Sequence, residues 1–115
     1  MAADPTDGVY FLYDRLTNVN WLAVTASNGV RTLTNTGIAV AAGVYNKLKI
    51  IVNYNGTAAY FYINGVLVAT NTLNIPTGAG RNTGYFTNII KSAGLTARYF
   101  HSDWHWLHYD LTASR

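Results

Sequence analysis

Two histidines and an aspartate alternate near the end of the chain, as His101, Asp103 and His105. Alternate residues of a strand share a face, so these side chains would stand about 6 to 7 Å apart. Two imidazoles and a carboxylate are ligands that zinc accepts, but three ligands on one straight strand converge poorly on one ion. We therefore expect no metal site and no cofactor, and we keep this trio as a weak zinc candidate. A pH-sensitive interface is a further alternative, since histidine titrates near neutrality.

A second group of residues has the chemistry of ligand contact. Aromatic rings suit the faces of sugars and also anchor protein interfaces, and we select Trp21, Tyr60 and Tyr62 for this role. Arg31 follows an Asn-Gly pair and carries a planar guanidinium that can bind a glycan or a carboxylate. These four residues are the predicted ligand-binding set. The alternative is that the rings cover neighbouring strands and that the arginine is solvated.

The composition narrows the class of protein. The chain has 115 residues, of which 50 % are hydrophobic and 11 % charged, and it has no cysteine and no glutamate. This length and apolar content predict one core, while the absence of cysteine removes disulfides and leaves the redox compartment open. The net charge of +3 comes from scattered cations, of which Lys47 and Lys49 are the only close pair. The sequence therefore predicts no stripe of basic residues that would bind nucleic acid. Neither a membrane-spanning run nor a signal-peptide pattern is present.

Short runs of β-branched and aromatic residues recur along the chain, as is typical of strands. We predict strands at 9–14, 21–25, 30–34, 48–54, 58–63, 66–70, 83–90 and 98–109. Three Asn-Gly pairs lie between such runs and predict two-residue hairpin turns, in which both residues have positive φ: Asn28-Gly29, Asn55-Gly56 and Asn64-Gly65. The predicted fold class is all-β, an antiparallel β-sandwich.

Two of these turns define a three-stranded meander over residues 46–70. By the period of two, one face of its first strand is expected to line the core: Leu48, Ile50 and Val52. In the next strand Phe61 and Ile63 alternate with Tyr60 and Tyr62. We predict that the tyrosines point outward, because a phenol side chain tolerates partial exposure to solvent.

Short motifs run through nearly the whole chain. The central ones are YNKLKI at 45–50, VN at 52–53, NGT at 55–57, FYING at 61–65 and LVA at 67–69. They are flanked by DGVYF at 7–11, NW at 20–21, NIPTG at 74–78, KSAG at 91–94 and TAR at 96–98. Their order and spacing resemble the concanavalin A-like, laminin G-like jelly rolls, in the version common in bacteriophage virion proteins, notably tail fibres.

The resemblance implies a jelly-roll sandwich and a division of the chain. We expect residues 1–6 to form a flexible or arm-like N-terminus, 7–111 the β-sandwich domain and 112–115 a C-terminal tail. Domains of this type usually have further strands before the segment that matches 7–11, so the sandwich is expected to be truncated at its N-terminus. Missing strands would leave edges and an apolar face that need a partner.

Two chemistries found in such sandwiches are not favoured by these residues. Glucanases use two carboxylates, but this chain has no glutamate, and its five aspartates include no closely spaced trio on one strand face. Calcium, a familiar cofactor of laminin G-like domains, needs several converging oxygen ligands. The scattered Asp4, Asp7 and Asp14 supply these poorly. We therefore expect neither an enzyme nor a calcium site.

The function implied by the resemblance depends on surfaces. We expect a non-catalytic structural or surface module of a bacteriophage virion, in a tail fibre or on a capsid. Self-association is expected, as a homotrimer by analogy with phage fibres, together with contacts to other virion proteins and to host cell-surface glycans. No nucleic acid or membrane insertion is expected. The alternative is a free-standing, lectin-like carbohydrate-binding module.

Overall fold

The computed structural model describes residues 4–78, together with Phe86, Thr87, Ser102 and Trp106. The chain divides into two compact units, one of Asp4–Arg81 and one of Met1–Ala3 with Asn82–Arg115. The first unit holds six strands: β1 (Gly8–Leu12), β2 (Asn20–Ser27), β3 (Val30–Ala39), β4 (Leu48–Val52), β5 (Ala59–Ile63) and β6 (Val66–Asn71). The predicted strands 83–90 and 98–109 lie largely outside the described residues. The four residues described there are not in a strand.

The six strands form two antiparallel sheets of three strands each. In sheet A, β2 lies between β1 and β3, and Val24 stands opposite Tyr10 on one side and Leu33 on the other. In sheet B, β5 lies between β4 and β6. No residue that the structure describes lies in a helix. The predicted all-β, antiparallel class is confirmed, and so is the meander over 46–70.

Two of the three Asn-Gly pairs form the predicted hairpin turns. The φ angles are 51° and 79° at Asn28 and Gly29, and 52° and 84° at Asn64 and Gly65. Positive φ at both central residues is what a type I′ turn requires. The twist of this turn matches that of the strands, so β2–β3 and β5–β6 are joined by two-residue loops.

The prediction for Asn55-Gly56 is wrong. β4 ends at Val52 and β5 begins at Ala59, so the connection is a longer loop. Gly56 has a φ of 64°, but Asn55 is not among the residues with positive φ. The Asn53 side chain organises this loop instead, because its Oδ1 accepts hydrogen bonds from the N–H groups of Thr57 and Ala58 at 2.8 and 3.0 Å.

Small and aromatic side chains from both sheets form one core cluster. Ala23 of sheet A packs with Ala59, Phe61 and Ala69 of sheet B. Phe61 is 0 % exposed, and its ring meets the ring of Phe11 edge-to-face with centroids 5.3 Å apart. This cluster therefore holds the two sheets together.

Strand β5 alternates as predicted: Phe61 and Ile63 are buried, while Tyr60 and Tyr62 are partly exposed. The prediction for β4 is right in part. Ile50 packs against the core cluster, but Val52 is 43 % exposed. Val52 is the last residue of an edge strand, so fewer neighbours cover it.

Candidate ligand-binding surface

The structure places the four predicted ligand-binding residues at three separate positions. Tyr60 and Tyr62 share the outward face of β5. Trp21 contacts Phe11, a residue packed on the core cluster. Arg31 stands opposite Ala26, on the face of sheet A that points away from that cluster. The set therefore does not form one site, and the two tyrosines are the pair that shares a surface.

The register of sheet B shows what surrounds these tyrosines. Lys49 and Leu67 stand opposite Tyr62 on either side, and Ile51 and Thr70 stand opposite Tyr60. Residues directly opposite each other in a sheet point to the same face. We call the resulting surface the tyrosine face; its members are Lys49, Ile51, Tyr60, Tyr62, Leu67 and Thr70.

Lys49 gives this surface a positioned charge. Its Nζ lies over the ring of Tyr62, 5.3 Å from the ring centroid, which is within cation–π distance. At an exposed site such a contact contributes about 0.5 to 1 kcal/mol. The contact holds an ammonium group beside an aromatic surface.

Lys47 immediately precedes the strand that carries Lys49. Its N–H donates to Asn64 Oδ1, and its carbonyl accepts from the N–H of Asn64, both at 2.9 Å. These two bonds hold Lys47 beside Asn64, one residue before β4 begins.

No acidic residue lies in the described strands of sheet B. The sequence has no acidic residue between Asp14 and Asp103, although seven of the eight cations lie between them. The acids that the structure describes are engaged elsewhere: Asp4 pairs with Arg31, Asp7 accepts from the N–H of Asn28, and Asp14 bonds within its own loop. Within the described residues, the strands of sheet B therefore carry the Lys49 ammonium group and no carboxylate.

Comparison with known proteins assigns the chain to a family. The model of the "SO2946-like, C-terminal domain" family matches residues 1–103. The chain belongs to this family. The matched residues include all six strands of the SO2946-like domain and the whole tyrosine face. Neither a search of curated proteins nor a search of solved structures finds a match.

Trp21 of this SO2946-like domain belongs to a row of aromatic rings. Its ring lies 6.1 Å from that of Phe11 and 6.2 Å from that of Tyr13, and its carbonyl accepts a hydrogen bond from Thr36 Oγ1 at 2.7 Å. The indole N–H is buried and has no acceptor within the described part of the chain. These contacts make Trp21 a packing residue of sheet A.

Arg31 is engaged on its own sheet. It forms an ion pair with Asp4. The neighbouring Tyr10 hydroxyl, and then Asp4, raise the pKa of Arg31 above its ordinary value. The carbonyl of Thr6 also accepts from the N–H of Gly29 at 2.8 Å. Residues 4–6, predicted as part of an arm, thus contact β3 and the β2–β3 turn of the SO2946-like domain.

The weak zinc candidates His101, Asp103 and His105 lie outside the described residues. Among the residues that are described, no three metal-ligating side chains come together. No helix in that part of the SO2946-like domain has the length and apolarity to cross a membrane.

Sequence reasoning missed Lys49 as a member of the site, although a signal was present. A two-residue turn at Asn55-Gly56 would pair Lys49 with Tyr62, and this is the observed register despite the longer loop. The hairpin pattern in the sequence of this SO2946-like domain therefore already indicates the lysine–tyrosine pair.

Proposed function

We propose that this domain is a non-catalytic β-sandwich of the concanavalin A-like jelly-roll class that acts by presenting surfaces. It would serve as a structural or surface module of a bacteriophage virion, in a tail fibre or on a capsid. In that role it would assemble as an oligomer. The sandwich is supported by the core cluster, in which Ala23 and Phe61 belong to different sheets. The virion role is supported by the motif resemblance.

A non-catalytic role is supported by the carboxylates that are present. The chain has no glutamate, and glycoside hydrolysis, the chemistry of related sandwiches, takes a pair of positioned carboxylates. Asp4, Asp7 and Asp14 are each committed to a hydrogen bond or an ion pair that holds a loop or terminus in place.

The assembly proposal depends on β4. Ile51 is 40 % and Val52 is 43 % exposed, and consecutive strand residues point to opposite faces, so apolar surface is exposed on both sides of this strand. β4 is the outer strand of sheet B, and no described strand pairs with its other edge. Such an edge is a template for pairing with another chain.

Light scattering over a hundredfold concentration range tests this proposal. We expect an oligomer, a homotrimer by analogy with phage fibres, and we expect Val52→Lys to dissociate it, because an edge lysine opposes strand pairing. Val44→Lys is the matched control, since Val44 is 59 % exposed in the β3–β4 connection. A monomer at every concentration, or equal dissociation in both variants, contradicts assembly through β4.

A free-standing, lectin-like carbohydrate-binding module is the second candidate, and the tyrosine face favours it. Tyr60 and Tyr62 share one face of β5 and are partly exposed. Replacing both by alanine is expected to abolish retention on a glycan array while changing the melting temperature little. Unchanged retention would exclude both tyrosines from binding. A monomer that is retained on the array would favour this candidate over the virion module.

A further inference from the structure

We propose that the tyrosine face binds acidic carbohydrate. In this assignment Lys49 contacts a carboxylate or sulfate of the glycan, and Tyr60 and Tyr62 contact the faces of its sugar rings. The proposal deepens the carbohydrate-binding candidate and rests on it. The oligomeric state is tested separately, because the assembly proposal depends on strand pairing at the outer edge of β4.

The aromatic part of the argument comes from geometry. Tyr60 and Tyr62 are alternate residues of one strand, so their side chains stand about 6 to 7 Å apart on the same face. Each ring is flanked by a partly exposed aliphatic neighbour in the adjacent strand, Ile51 beside Tyr60 and Leu67 beside Tyr62. This arrangement gives two stacking positions in line, as an extended oligosaccharide requires.

The positive charge of Lys49 indicates which class of carbohydrate this face binds. Lys49 is exposed and its Nζ lies over the Tyr62 ring. A sugar that stacks on the remaining aromatic surface of Tyr60 and Tyr62 therefore has an ammonium group within reach of its anionic group. No acidic residue occurs in β4, β5 or β6, and no described carboxylate forms an ion pair with Lys49.

Thr70 adds a neutral polar group at the other side of the face. It stands opposite Tyr60 and is exposed, and its hydroxyl has no hydrogen-bond partner among the described residues. A hydroxyl can both donate and accept, which suits a sugar hydroxyl. The face thus offers stacking, charge and a neutral hydrogen-bonding group within three adjacent strands.

Single-stranded nucleic acid is the other polymer that combines rings with negative charge. Proteins that bind it use a positively charged groove that follows the backbone over several nucleotides. Here Lys47 and Lys49 are a single close pair, and Arg31 is paired with Asp4 on the other sheet. The charge is therefore local, as for one anionic group of a glycan.

Calorimetric titration of the full chain tests the assignment. The probes are hyaluronan and chondroitin sulfate oligosaccharides, with maltohexaose as a neutral glycan and oligo-dT as a nucleic acid. We expect the acidic glycans to bind at least tenfold more tightly than maltohexaose. We expect Lys49→Gln to weaken them about tenfold, equivalent to about 1.4 kcal/mol, and Lys49→Arg to retain binding. Arg15→Gln, the same charge change on the β1–β2 connection, should have no effect.

The outcomes separate this proposal from the one on which it rests. Equal binding of maltohexaose, with no effect of Lys49→Gln, would overturn the acidic assignment and keep a carbohydrate-binding face. No binding of any glycan would overturn both. Oligo-dT binding as tight as hyaluronan binding, or equal losses in Lys49→Gln and Arg15→Gln, would also overturn the assignment. Thermal melting of each variant confirms that it is folded.

Discussion

Asn71 of β6 donates a hydrogen bond from Nδ2 to the backbone carbonyl of Ala23 in β2, 3.2 Å away. The same group lies 3.3 Å from Thr25 Oγ1, and Asn71 Oδ1 accepts from Thr34 Oγ1 at 2.6 Å. Asn71 is 2 % exposed. Because these bonds are directional, they specify one position of β6 against sheet A, where apolar side chains alone would tolerate sliding.

Replacing Asn71 should therefore destabilise the first unit strongly. Asn71→Ala leaves the Ala23 carbonyl and the Thr34 hydroxyl without their partner, and an unsatisfied buried group costs about 1 to 3 kcal/mol. We expect urea denaturation to show a loss of about 2 kcal/mol in the free energy of unfolding. Thr70→Ala, one residue earlier on the exposed face, is expected to change it by less than about 0.5 kcal/mol. Equal losses in the two variants would contradict this role of Asn71.

Phe61 provides the apolar counterpart of that polar contact. It is fully buried between the sheets, so Phe61→Ala removes the ring that meets Phe11 and leaves a cavity. The expected loss in the free energy of unfolding is about 3 to 5 kcal/mol. Tyr54→Ala, at a ring that is 79 % exposed, should lose little in the same denaturation experiment. A loss under about 1 kcal/mol for Phe61→Ala would exclude Phe61 as the centre of the core.

Local sequence chemistry was enough to predict the six described strands and two of the turns. The Asn28-Gly29 and Asn64-Gly65 pairs act within two residues, and the alternation in β5 is a period that burial on one face imposes. The outward position of Tyr60 and Tyr62, and with it half of the candidate site, followed from the same period.

The remaining features depend on contacts between residues far apart in sequence. Asn71 is of a type usually found at surfaces and turns, and it is buried here because Thr25 and Ala23 offer partners 46 and 48 residues away. An aromatic residue such as Trp21 suits a ligand and a core equally well. Its contact with Phe11 in the neighbouring strand assigns it to packing, and no local sequence pattern predicts that contact.

Replacing Gly56 and Gly65 by alanine tests whether a turn glycine is constrained by its backbone φ alone or also by a neighbouring side chain. Both have positive φ, at 64° and 84°, so alanine is strained at either position, by about 1 kcal/mol or more. A Cβ at Gly56 would also collide with Thr77 Cγ2, whereas a Cβ at Gly65 would meet no atom. We expect Gly56→Ala to lower the melting temperature more than Gly65→Ala.

Thr77→Ser removes the obstructing methyl group and completes this test. Combined with Gly56→Ala, it should recover part of the lost melting temperature, because the collision is relieved while the strain in φ remains. Combined with Gly65→Ala, it should recover nothing. Recovery in both pairs, or in neither, would show that Thr77 does not determine the cost of a side chain at position 56.

The loop between β4 and β5 should depend on Asn53 rather than on the Asn-Gly pair. Asn53 Oδ1 accepts from two backbone N–H groups, and Nδ2 donates to Thr57 Oγ1 at 2.8 Å. Asn53→Ala deprives both N–H groups of their acceptor, so we expect a loss of about 1 to 2 kcal/mol in the free energy of unfolding. Asn53→Asp keeps an acceptor oxygen and should lose less. Asn55→Ala is the matched control, at a position that lacks the positive φ of a hairpin turn. A larger loss in Asn55→Ala than in Asn53→Ala would contradict the role of Asn53 and favour the two-residue hairpin turn that the sequence predicts.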